Sequence, residues 1–348
     1  MSKINLPLLA ILFLALTVRL IGIQSRPIWY DEAFAILFAG KGLSAMLYGT
    51  LATTGAGSAD IHPLGYYTFL WLWMNLLGDS VVTARLFSIL SSLISLFLVY
   101  KIALALFNKD TATASAAIFA ILPFQIHYAQ EIRMYAMLSL WLLLATLSFL
   151  RARSGNGRWW ILFSIASALA QYTHNLAAVY LIPLALTPIL QRDWKTLRSL
   201  IAAGLVSIIL YLPWLIHLPS QFSKVSASYW VERPGVEKIF TLFLFYLPHL
   251  PLTGVMLVVG LLAAVLVISL AAFQTYLAKK NDLAGASWGH GRLISPSLRL
   301  PCYGSPPSLY RSTSSAPCSH PMPYSASGWL GHSRRPALRT LFDFLRRD

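Results

Sequence analysis

Apolar runs long enough to enter or cross a bilayer recur along the first 280 residues of this 348-residue chain. No single soluble core buries that many of them, so the chain must fold as a helical membrane protein. The apolar fraction is 57%, against roughly 45–50% in soluble domains. The net charge of +15 does not point to nucleic acid. The basic residues fall in short linkers between apolar runs, where orientation signals belong. Cys302 and Cys318 both lie late in the chain, so no disulfide framework or cysteine metal site is expected.

Eight spans are expected, at 6–23, 82–107, 111–127, 134–150, 158–173, 175–190, 198–217 and 253–277. The first lacks a clear cleavage site and reads as an uncleaved span. Stretch 62–78 is also apolar, and charge decides its placement. If it lies along the membrane surface, four linkers share the side of Lys3. They carry Lys101 and Lys109; Arg151, Arg153 and Arg158; Arg192, Lys195 and Arg198; Lys279 and Lys280. Only Asp110 and Asp193 oppose them there, a clean positive-inside pattern. Asp31, Glu32, Asp60, Asp79, Glu131, Glu232 and Glu237 then share the outer side. If 62–78 spans, that pattern is lost. The stretch is therefore expected to be a surface-lying helix with Trp71 and Trp73 at the interface.

Composition breaks at Asn281. Residues 281–348 hold 12 Ser, 8 Pro and 8 Arg but no Lys, Glu, Gln or Val. No period of 3.6 or 2 persists there. The stretch reads as shifted-frame or unrelated sequence, with a disordered basic tail as the alternative. The expected organisation is a membrane domain over 1–280 and a tail over 281–348, with an outer loop over 24–81.

Five outer segments carry chemistry-bearing residues. They are Trp29-Tyr30-Asp31-Glu32 after the first span, and His62-Pro63-Leu64-Gly65-Tyr66-Tyr67 opening the surface helix. Arg85 follows, one turn into the next span. Gln130-Glu131-Ile132-Arg133-Met134-Tyr135 joins two later spans, and Tyr172-Thr173-His174-Asn175 joins two more. Each has an ordinary structural reading. An acidic pair can cap a helix, His-Pro can start one, and an arginine near a span end can snorkel. An ionisable residue inside a span is nonetheless a functional candidate. Taken together the segments fit one reaction. A carboxylate takes a proton from an attacking hydroxyl, and guanidinium groups hold a phosphate leaving group.

In these motifs, residues 1–280 resemble the GT-C membrane glycosyltransferases. The group in question is glycosyltransferase family 39-like, with protein O-mannosyltransferases and the lipid A aminoarabinose transferase. Asp31-Glu32, His62-Pro63-Leu64-Gly65-Tyr66-Tyr67, Arg85-Leu86-Phe87-Ser88 and Gln130-Glu131-Ile132-Arg133-Met134-Tyr135 carry the resemblance by order and spacing. Family members often read His-Pro-Pro where this chain has His62-Pro63-Leu64.

The resemblance implies an all-α, polytopic GT-C-type bundle with about eight spans and an outer-face juxtamembrane helix. It implies inverting transfer of a sugar from a polyprenyl-phosphate-linked monosaccharide to a protein, lipid or glycan acceptor. Asp31 is then the expected base, and Glu32 positions the acceptor or a cation. Arg85 and Arg133 hold the donor phosphate, and His62, Tyr66, Glu131, Tyr135 and His174 line the pocket. No metal-ligand spacing is diagnostic, although Asp31, Glu32 and His62 could ligate a divalent cation. The expected location is a bacterial inner membrane with the site facing outward. A lipid-linked glycan ligase or polymerase, a transporter or flippase, and a non-catalytic remnant are the competing readings. The absence of internal repeats disfavours transport.

Overall fold

The computed structural model describes residues 5–51 and 62–221, with the single positions 235 and 269. The expected span 253–277, most of loop 217–238, Asp60 and the tail 281–348 lie outside the described residues. Eleven α-helices and no strand form within them. The expected spans appear as α1 (Leu6–Leu20), α5 (Val81–Leu106), α8 (Tyr135–Arg153), α9 (Trp159–Thr173), α10 (Ala177–Leu190) and α11 (Trp194–Leu215). α5, α8 and α11 are each long and apolar enough to cross a membrane.

The span expected at 111–127 is broken. It forms α6 (Lys109–Ile121) and α7 (Pro123–Ala129), bent by 59°. Pro123 has no amide proton, so the Phe119 carbonyl loses its helical donor. Arg19, in the last turn of α1, makes good that loss. Its guanidinium donates to Phe119 O at 3.3 Å and to Ala120 O at 2.8 Å, and its Nε donates to Ser92 Oγ at 3.0 Å. The side chain is fully buried, and a cation at a helix C-terminus is favoured by the dipole. Sequence reasoning passed over Arg19, although an arginine inside an apolar run was the available signal.

The outer loop is also more structured than expected. Asp31 and Glu32 sit in the first turn of α2 (Tyr30–Gly40), not in a loop. α2 is followed by α3 (Leu43–Leu51), bent 118° from it. Negative charge in a helix's first turn offsets the exposed amide dipoles, which explains why the acidic pair starts a helix here.

α4 (Gly65–Leu77) forms over the stretch expected to lie along the membrane surface. Tyr66, Tyr67, Leu70 and Met74 form its buried stripe, while Leu72, Leu76 and Leu77 are exposed. Trp73 also has a packing role. Its indole donates to Thr83 O at 2.7 Å and packs against Phe87, which ties α4 to the start of α5. The first turn of α4 touches the end of α9 so closely that a Cβ on Gly65 would lie 2.5 Å from Tyr172 O. Gly65→Ala therefore displaces α4 from α9. We expect a destabilisation of about 1–3 kcal/mol, measured as reduced thermal stability in detergent; unchanged stability would mean that this contact is not close.

Three packed clusters hold the bundle. One joins α2, α3 and α4 to Ala84, Ile132, Met134, Met137, Tyr211 and Trp214. A second packs α1, α5 and α6 through Ala112, Ala116 and Ala120 at four-residue spacing. Small residues let backbones approach closely in membrane bundles. The third joins α8, α9 and α11. On the linker before α11, Asp193 caps Thr196 through its amide and hydroxyl, and these bonds lower its carboxyl pKa. That cap is intact above the ordinary carboxylate range and is lost on acidification through the lowered pKa.

Candidate active site

The strap 130–134 between α7 and α8 organises the site, because its consecutive residues reach different elements. Gln130 donates to Arg19 O at 3.0 Å and to Ile21 O at 2.8 Å, which fixes the strap to the end of α1. Glu131 Oε1 receives Arg26 at 3.2 Å and lies 3.2 Å from His127 Nε2. The Glu131 carbonyl accepts from Ser88 Oγ at 2.6 Å. The Ile132 amide donates to Glu32 Oε1 at 3.0 Å. Arg133 lies 3.4 Å from Asp31 Oδ2. Glu131 and Arg133 thus serve different partners.

The two acidic neighbours have opposite environments. The Glu32 and Arg85 side chains are fully buried, 3.2 Å apart. Arg85 also donates to Ile23 O at 2.6 Å and to Arg26 O at 3.0 Å. Both terminal nitrogens of its guanidinium thus have protein partners, while Nε has none among the described residues. The expected roles, Arg85 on a donor phosphate and Glu32 on acceptor or cation, would require these bonds to open. The pair instead ties α2, α5 and the end of α1 together. Asp31, by contrast, keeps 34% of its side chain exposed beside the largely buried Arg133.

Tyr66 is almost fully buried. Burial raises its phenol pKa, opposed by Ser88 and Arg133, so the hydroxyl stays protonated as a donor. Tyr135 stacks edge-on with Tyr128 at 5.0 Å. His62 and His174 bring their rings to 5.2 Å, joining the entry to α4 with the end of α9. Among the described residues no group of three His, Cys, Asp or Glu is arranged to hold a metal ion. Arg26 and His127 were not anticipated. Their signal was a basic residue and a histidine flanking the motif segments, and it carries weight only once the fold brings them to Glu131.

Residues 61–217 match the family model described as dolichyl-phosphate-mannose-protein mannosyltransferase. No curated protein matches the chain. The crystal structure of ArnT from Cupriavidus metallidurans bound to undecaprenyl phosphate is similar, with TM-score 0.54 and 18% identity. Its apo form gives 0.55 and 17%. Each alignment covers 68% of this chain and 47% of ArnT, so the chain spans about half the length of the structures it matches. The described helices therefore have the GT-C-type fold of ArnT, and residues 61–217 carry the sequence pattern of the dolichyl-phosphate-mannose-protein mannosyltransferase family.

Proposed function

We propose that this chain is an integral-membrane glycosyltransferase that moves a sugar from a polyprenyl-phosphate-linked monosaccharide to an acceptor hydroxyl at the outer membrane face. The supporting observation is the half-exposed Asp31 facing Arg133 at 3.4 Å, braced from behind by the buried Glu32–Arg85 pair. When donor binds, its phosphate competes with Asp31 for the Arg133 guanidinium, which suits bidentate phosphate contact. Asp31 is thereby released to accept the acceptor's proton. The acceptor oxygen bonds to the sugar's anomeric carbon as the bond to the phosphate oxygen breaks. Attack opposite the leaving group inverts that centre. Arg133 offsets the charge that develops on the departing polyprenyl phosphate. Glu32 and Arg85 act by position, holding the first turn of α2 against the strap. The acceptor class is a protein, lipid or glycan.

The test supplies membranes carrying the chain with labelled polyprenyl-phosphate hexose. Chain-dependent release of polyprenyl phosphate is expected; its absence with every acceptor class would sink the reading. Sidedness is tested separately. A cysteine replacing Lys109 should resist a membrane-impermeant thiol reagent in intact cells, and one replacing Asp79 should react. The reverse pattern would put the site on the inner face.

A further inference from the structure

A second cavity lies beside the strap, on the side of α5, α7 and α8. Its volume is about 480 Å³, within the range of small-molecule sites. It is lined by Ser92 and Ser95 of α5, by Gln125 and Tyr128 of α7, and by Tyr135 and Ser139 of α8, with four apolar residues between them. None of these lining residues is charged.

The α5 wall continues the site described above. Arg85, Ser88, Ser92 and Ser95 recur at three- and four-residue spacing, which places them on one helix face. From Arg85 to Ser95 this row descends about 15 Å. The serines have complementary roles. Ser92 Oγ already accepts from Arg19 Nε, so its proton is available to a ligand. Ser95 Oγ donates to Ser91 O, so its lone pairs remain for a ligand to donate to. On the opposite wall, the rings of Phe124 and Tyr128 lie 4.7 Å apart, and those of Tyr128 and Tyr135 lie 5.0 Å apart.

We infer that this cavity is a subsite for an uncharged sugar ring. The inference rests on the reading of the chain as a glycosyltransferase and adds the class of sugar. Aromatic faces cover the C–H face of a pyranose, and hydroxyl and amide groups pair with its hydroxyls. A prenyl tail would leave the Gln125 amide and the Tyr135 and Ser139 hydroxyls facing hydrocarbon, which is unfavourable. A cationic amino sugar or an acidic sugar would lack a counter-charge among these residues. Tyr135 lines the cavity and stands two residues along the chain from Arg133, the residue proposed to hold the phosphate.

The experiment uses the full chain in lipid vesicles and two photoreactive donors. One is a polyprenyl-phosphate hexose with a diazirine on the sugar, and the other carries the diazirine on the prenyl chain. The sugar-borne probe should label the segment 124–139. Tyr128→Ala should cut that labelling about fivefold by removing an aromatic face. Ser95→Leu, which removes a polar wall group without opening a cavity, should also cut it. A sugar-borne 4-amino analogue should label the segment more weakly than the hexose. Labelling of 124–139 by the prenyl-borne probe alone would make the cavity a tail groove and overturn the inference. Sugar-probe labelling confined to 26–33 would also overturn it, while leaving the proposed function standing. Labelling nowhere in the chain by either probe would overturn both.

Discussion

Asp31→Asn lowers sugar transfer by about 10²–10⁴-fold, the usual contribution of a positioned general base, while the chain stays in the membrane at its normal level. The substitution keeps the shape of the side chain and removes its ability to take a proton. Its structural cost is small because Asp31 is partly exposed. The oxygen of the new amide can still accept from the largely buried Arg133, so that guanidinium keeps a polar neighbour. Asp31→Glu keeps a base but lengthens the side chain by one methylene, so it should retain part of the activity. Labelled-sugar transfer in isolated membranes, normalised to protein by immunoblot, measures both variants. Turnover of Asp31→Asn within a few-fold of the parent chain would remove Asp31 as the base. Glu32→Gln provides the contrast. It loses a fully buried charge facing Arg85, so activity and thermal stability should fall together.

That contrast explains how much of the site was legible in the sequence. The bundle was readable because span length and linker charge are local properties. Seven of the eight expected spans fall on described residues and reappear there as helices, one of them broken at Leu122–Pro123. The motif segments were also readable, since acidic and guanidinium side chains are rare in so apolar a chain. Their pairing was not. Asp31 and Glu32 are adjacent, but a helix turns about 100° between neighbours. One therefore faces the opening and the other the core, and only the start of α2 decides which. Nothing local shows that the carbonyls of Ile23 and Arg26 stand within reach of Arg85. Arg26 and His127 gained a role only through Glu131, 105 and four residues away in sequence. Long-range partners of this kind are set by packing, which periodicity does not encode.

Arg85→Met should cost about 3–5 kcal/mol, the range for breaking a buried ion pair by removing one partner. Glu32 is left as an uncompensated carboxylate inside the bundle, and the carbonyls of Ile23 and Arg26 lose their donor. The double variant Glu32→Leu with Arg85→Met removes the stranded charge. It should cost less than the sum of the two single variants, although the Ile132 amide then loses its acceptor. Arg85→Lys should rescue only partly, because one ammonium cannot serve two carbonyls and a carboxylate in the geometry of a planar guanidinium. Thermal unfolding of the parent, the two single variants and the double variant in the same detergent measures the coupling. The same proteins separate the two roles open to Arg85. A phosphate ligand would lose donor affinity at unchanged thermal stability, and the single costs would add. An anchor loses stability first. Its activity then falls because the first turn of α2 no longer holds Asp31 against Arg133.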